Sequence, residues 1–190
     1  MLPDNYQSPA KLSEALYRAL ADAMPPGDNP RDSWMSHVAS AMQATAWALV
    51  AKEEGPEQGD YITSVAMREL SVALNIIDTV DPDKDGDASE EVPDIGDSPD
   101  PDKFPIWKLA IQLIWKEGDA PIDTRTPVGR WLEHCLQAMW YGEIALRVGR
   151  ECPSHAIAPL TLMEDALCSA APYDEGPEGE DAPVEPVEAA

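Results

Sequence analysis

The chain has 190 residues, of which 44% are hydrophobic, and a formal net charge of −23 at pH 7. This length fits a single domain with a buried core, and the charge argues against direct binding to nucleic acid or to an anionic membrane, since both need clustered Lys and Arg. The sequence has no long apolar run, no basic and apolar leader, and only three irregularly spaced cysteines, so it predicts a cytoplasmic protein.

Two amphipathic helices are predicted first. Ser8-Pro9 is typical of a helix start, because Ser caps well and Pro fits the first helical position. Asn29-Pro30 indicates a second start. The predicted buried stripes consist of Leu12, Ala15, Leu16, Ala19, Leu20 and Ala23 in the first helix, and of Trp34, Val38, Ala41, Met42, Thr45 and Leu49 in the second.

A third helix is predicted to begin near Asp60. Its stripe contains Ile62, Val65, Ala66, Val72, Ala73, Ile76, Ile77 and Val80, and Glu69 falls on the same stripe. We expect Glu69 to be buried and bonded to an arginine, with Arg68, Arg130 and Arg147 as the candidates. An alternative is a metal-dependent all-α hydrolase that uses Glu54, Glu57 and Glu69. No matched second pair of acids supports it.

Residues 81–103 follow, with ten acidic residues and two lysines. Their start, "DPDKDGDASEE", resembles the first half of an EF-hand loop, which has ligands at positions 1, 3 and 5 and Gly at position 6. The resemblance implies a calcium site formed by Asp81, Asp83, Asp85 and Asp87, and a calcium-responsive helical protein that uses the loop 81–91 is an alternative function. Position 12, however, is Val92, and prolines replace the exiting helix. We therefore predict a solvated linker that binds calcium weakly at most, and no other cofactor.

Three more helices are predicted after the acidic linker. "FPIWKLAIQLIW" is apolar almost all round, which indicates a helix buried on several sides. Thr126-Pro127 repeats the cap-and-proline start, and a short last helix spans about 156–167. The stripe of the fifth helix consists of Val128, Trp131, Leu132, Cys135, Met139, Trp140 and Ile144.

This pattern predicts an all-α bundle of five to six helices. Residues 1–172 form the single helical domain, with 81–103 as a long acidic loop within it. Residues 173–190 carry seven acidic residues and no basic one, and are expected to form a disordered tail because they have little to bury.

Catalytic and zinc-binding patterns are weak. His134, Cys135, Cys152 and His155 include a C-x-x-H spacing, but adjacent helical residues point about 100° apart and do not readily share one ion. We find no phosphate-binding loop, no nucleophile elbow and no convincing Cys-His pair. The sequence therefore predicts a protein that is not an enzyme.

The composition favours a module that binds a basic surface of a protein partner, with no direct contact to nucleic acid or membrane. In general character the chain resembles small acidic phage and bacterial inhibitors of the anti-CRISPR and DNA-mimic type, a resemblance of composition alone. It implies an inhibitor of a nucleic-acid-binding complex. Trp107 and Trp115 share one face of the fourth helix, as core residues or as partner anchors. The predicted partner-binding residues are Asp94, Asp97, Asp100, Asp102, Trp107 and Trp115.

Overall fold

A computed structural model describes residues 8–24, 33–50, 56–80, 102–114 and 122–170, with the backbone alone for residues 56–60, 62 and 80. The described residues are 89% helical, contain six α-helices and include no strand. The predicted all-α fold of five to six helices is therefore confirmed. None of these helices is both long enough and apolar enough to cross a bilayer.

The six helices run in chain order, and a 3-10 turn over Pro153–Ala156 precedes the last one. They are α1 (Pro9–Ala23), α2 (Ser33–Val50), α3 (Pro56–Val80), α4 (Pro105–Ile114), α5 (Pro127–Gly149) and α6 (Ile157–Ala170). The most extensive packing joins α2 to α3 and α5 to α6, while α1 packs on α4. Because only five residues connect α2 to α3, these two helices form an antiparallel hairpin.

The hydrophobic stripes place most of the core correctly. All six residues predicted for the face of α2 are buried. In α3 the buried stripe is Thr63, Ala66, Leu70, Ala73 and Ile77, with spacings of three and four residues. The prediction that Val65 lies in the core is wrong, because Val65 lies about 100° around the helix from Ala66 and is 36% exposed.

The residues at the starts of α5, α1 and α3 differ in how they satisfy the first helical turn. The Thr126 hydroxyl accepts the Gly129 N–H at 3.0 Å and donates to the Asp123 carbonyl at 2.9 Å, so it caps α5. Ser8 precedes α1 at the cap position but makes no side-chain cap bond. Helix α3 begins at Pro56, earlier than the predicted start near Asp60, and a proline is tolerated there because the first turn needs no N–H.

Helix α5 packs on α2, α3, α4 and α6, and two of its glycines allow close approach to other elements. A Cβ on Gly142 would lie 2.7 Å from Sδ of Met42, and a Cβ on Gly149 would lie 2.4 Å from Cη2 of Trp34. Neither distance is compatible with an unshifted side chain. The two glycines thus determine how closely α5 packs on α2.

Candidate partner-binding site

The acidic residues predicted to bind a partner fall mostly outside the described residues. Asp102 is the exception. Its exposed carboxylate accepts a hydrogen bond from the Lys108 ammonium at 2.6 Å, and this bond and the lysine charge lower the pKa of Asp102. The residues that lie outside are Asp94, Asp97, Asp100 and Trp115, together with the calcium candidates Asp81, Asp83, Asp85 and Asp87.

Trp107 belongs to an aromatic cluster at the start of α4. Its ring centroid lies 6.4 Å from that of Trp140, which also contacts Phe104 edge-on at 6.3 Å and stacks on Tyr141 at 5.1 Å. Trp107 is half-buried and packs against the core. Much of its surface is therefore used within the fold, and its role in partner binding stays a prediction.

Glu143 of α5 caps α4 from outside that helix. Its buried carboxylate accepts the backbone N–H of Trp107 at 2.8 Å, so one of the free N–H groups of the first turn of α4 is satisfied. Burial raises the pKa of Glu143, and the N–H groups of Trp107 and Ile106 and the Arg147 charge oppose that rise.

Arg147 adds two further contacts at the same place. Its guanidinium donates to the Lys103 carbonyl and lies 4.8 Å from the centroid of the Phe104 ring. It also lies 3.7 Å from the Glu143 carboxylate. Glu143 and Arg147 together fasten the chain to α5 just where the acidic linker 81–103 enters α4.

Glu69 does not pair with an arginine, so that prediction is wrong. Its carboxylate lies 2.8 Å from Nδ1 of His37, and the two side chains join α2 to α3 with about a third of each exposed. The physical reason is the antiparallel hairpin, which places the uncharged face of α2 opposite Glu69. Of the other hydrolase candidates, Glu54 and the side chain of Glu57 lie outside what the structure describes.

The zinc candidates are not brought together. Nδ1 of His134 lies 3.2 Å from the Gln137 amide oxygen, and Sγ of Cys152 lies 3.0 Å from the Ser154 hydroxyl. Burial raises the pKa of Cys135 to about 12, as expected for a small core residue. Among the described residues, no group of three or more His, Cys, Asp or Glu side chains could hold a metal ion.

Sequence reasoning missed an exposed apolar surface on the α2–α3 hairpin. The large hydrophobic side chains that are exposed in the described part of the chain all belong to these two helices. They are Trp47 (63% exposed), Val50 (50%), Tyr61 (74%) and Val65 (36%), and we call these four residues the hairpin patch. The available signal was that Trp47 lies off the buried stripe in a helix without any Asp, Glu, Lys or Arg.

Charge is distributed very unevenly along the chain. The described segments contain nine basic and thirteen acidic residues, a net charge of −4 out of the total of −23. The linker 81–103 and the tail 173–190 hold most of the remainder. The packed helices are therefore close to neutral.

No protein-family model matches this chain, and no significant match was found among curated proteins or among solved structures.

Proposed function

We propose that this protein is a non-catalytic binding module that engages a basic surface of a partner protein through its acidic segments. The observation that carries the proposal is the uneven charge, with ten acidic residues in 81–103 and seven in 173–190 beside a nearly neutral helical part. Segments of one sign attract an oppositely charged surface and speed its encounter with the protein.

A partner that itself binds nucleic acid fits this charge best. Surfaces that bind phosphate groups are lined with Lys and Arg, and an acidic segment held on such a surface blocks access to it. The protein would then act as an inhibitor of a nucleic-acid-binding complex, in the manner of anti-CRISPR and DNA-mimic proteins.

The helical scaffold supports a particular division of labour within this function. A mimic that reproduces phosphate spacing needs carboxylates fixed on rigid elements, whereas the described segments carry a net charge of only −4. The last residue of the linker, Lys103, is held next to α4, because its carbonyl accepts a hydrogen bond from Arg147. The bundle therefore serves to present the linker, and the linker supplies the attraction.

Capture from a bacterial lysate tests the proposal. The immobilised protein is exposed to nuclease-treated lysate at low and at high salt, and each recovered protein is then assayed for nucleic-acid binding with and without this chain. We expect a basic partner that is retained at low salt, released at high salt and inhibited by the chain. A partner retained equally at both salt concentrations, or one whose nucleic-acid binding is unaffected, would contradict the proposal.

A further inference from the structure

We infer that the hairpin patch is a second contact surface, and that it receives a basic amphipathic helix of the partner. This inference rests on the proposed function, since it assumes a basic protein partner. It adds to that function a specific site and the type of segment that the site binds.

The register between α2 and α3 brings the two aromatic residues of the patch to the same level. His37 and Glu69 are 2.8 Å apart and mark one level of the antiparallel pair. Trp47 lies ten residues after His37, and Tyr61 lies eight residues before Glu69. At 1.5 Å per residue these distances are about 15 Å and about 12 Å in the same direction. Trp47 and Tyr61 therefore lie at nearly the same height on neighbouring helices.

Both aromatic side chains also point away from the core. Trp47 is two residues from buried Thr45, and Tyr61 is two residues from buried Thr63. Two residues correspond to about 200° around a helix, so each ring lies on the outer face of the hairpin. Val65, one turn from Tyr61 towards Glu69, extends the apolar surface along the groove between the helices.

The charges near the hairpin patch indicate which kind of partner segment binds there. Helix α2 has no Asp, Glu, Lys or Arg, and depletion of charge beneath exposed aromatic residues is typical of the centre of a protein interface. Residues 51–60, which lie between Val50 and Tyr61 in the sequence, include four acidic residues and one lysine. Arg68, two turns beyond Tyr61 on α3, is an exposed basic residue at the end of the patch that Val65 forms.

An apolar centre with an acidic neighbour on a pair of helices fits a helix with apolar residues at spacings of three and four and with Lys or Arg on its flanks. The tail 173–190 of this chain and a second copy of the chain are disfavoured occupants. Both bring acidic charge to an acidic segment, and like charges repel.

The test is isothermal titration calorimetry with two synthetic peptides of identical Leu and Lys composition. One has the spacing of an amphipathic helix, and the other is scrambled so that it has no apolar face. We expect the amphipathic peptide to bind more tightly, and the substitutions Trp47→Ser and Tyr61→Ser together to weaken it about tenfold or more. The pair Lys11→Ser and Asp22→Ser, at exposed positions of α1 and without a change in net charge, should leave its affinity unchanged.

A conservative pair of substitutions controls for a loss of folding in the Ser variant. Trp47→Phe with Tyr61→Phe retains aromatic area and should retain tight binding, with circular dichroism as the check on helix content. Equal affinity of the parent and the Ser variant for the amphipathic peptide would overturn the inference. If the parent still bound both peptides at low salt, the proposed function would survive that result. Binding of neither peptide would argue against both proposals.

Two further outcomes would assign the patch to another occupant and overturn the inference. Sedimentation that shows a dimer of the parent but a monomer of the Ser variant would identify a second copy. A truncation of residues 173–190 that strengthened peptide binding would identify the tail as the cover. We expect instead a monomer, and a truncation that weakens binding because it removes acidic charge.

Discussion

At the residue scale, Glu143 shows how a buried carboxylate is accommodated in this fold. Only 5% of the residue is exposed, yet its oxygen atoms receive backbone N–H groups of α4 and face Arg147. A buried acceptor with such partners stabilises the folded state, whereas a buried N–H without a hydrogen-bond partner costs about 1–3 kcal/mol of stability. Glu143 therefore stabilises the junction between α4 and α5.

The raised pKa of Glu143 predicts a specific pH dependence. Because the folded-state pKa is above the ordinary value of 4.5, the folded state binds the proton more tightly than the unfolded state does. The favourable contribution of this proton binding to the free energy of unfolding is thus fully present below about pH 4.5, and it is lost as the pH rises through the folded-state pKa. Glu143→Gln keeps an acceptor and removes this titration.

We therefore expect the melting temperature of Glu143→Gln, relative to that of the parent, to increase from about pH 5 upward and then to level off. Thermal unfolding of both proteins across this range provides the measurement, and the difference between them cancels the general effect of the net charge. A melting-temperature difference that falls as the pH rises would contradict the direction given for the pKa of Glu143.

The two glycines of α5 predict different costs for the same substitution. In Gly149→Ala the new methyl group would meet the Trp34 ring and the Ala156 Cβ, neither of which can yield by a rotamer change. In Gly142→Ala it would meet the flexible side chains of Met42 and Met163. We expect Gly149→Ala to lower the free energy of unfolding by about 1–3 kcal/mol, and Gly142→Ala to lower it less.

Urea denaturation measures both values. Ser71→Ala, at an exposed position of α3, is the control and should change the free energy of unfolding very little. Equal or reversed costs for the two glycine substitutions would show that the Trp34 contact does not limit the packing of α5.

At the scale of the helix, two similar start signals prove to be physically different. Thr126-Pro127 and Ser8-Pro9 look alike in the sequence, but only the Thr126 hydroxyl accepts a cap bond. We expect Thr126→Ala to cost about 1 kcal/mol of stability and Ser8→Ala to cost almost none. Chemical denaturation of the two variants tests this difference, and a loss at Ser8 that matched the loss at Thr126 would show that Ser8 caps α1 in solution.

The sequence predicted the helices and their buried faces better than it predicted which side chains are exposed and what they contact. Spacings of three and four residues identified the buried face of α2 because burial follows helix geometry closely. The same spacing rule placed Val65 in the core, because the apolar residues predicted for α3 do not mark where the buried face of the helix ends. The partner of Glu69 and the position of Trp47 depend on which helix lies alongside, and a single sequence does not contain that register. Except for Asp102, the predicted acidic partner-binding residues and the calcium site lie outside the described residues.

At the scale of the whole molecule, charge and packing are separated along the chain. The helices hold the apolar core with a net charge of −4, while the acidic segments contain few apolar residues. We predict that removal of residues 173–190 shifts the melting temperature by less than about 4 °C, which corresponds to about 1 kcal/mol for a chain of this size. A larger drop, measured by thermal unfolding, would show that the tail packs on the bundle.

The central claim is that the acidic linker, and not the helical surface, attracts the partner. The most direct measurement is surface plasmon resonance on the captured partner with two variants of equal charge change. One is Asp94→Ser, Asp97→Ser and Asp100→Ser in the linker. The other, called the helical variant, is Asp22→Ser, Glu151→Ser and Asp165→Ser, at exposed positions of α1, of the turn that follows α5 and of α6. Asp102 is left intact because it bonds Lys108.

We predict that at low salt the linker variant associates several-fold more slowly than the parent, that the helical variant associates at nearly the rate of the parent, and that the difference shrinks as salt screens exposed charges. A helical variant that slows association as much as the linker variant does, or rates that do not respond to salt, would contradict the claim.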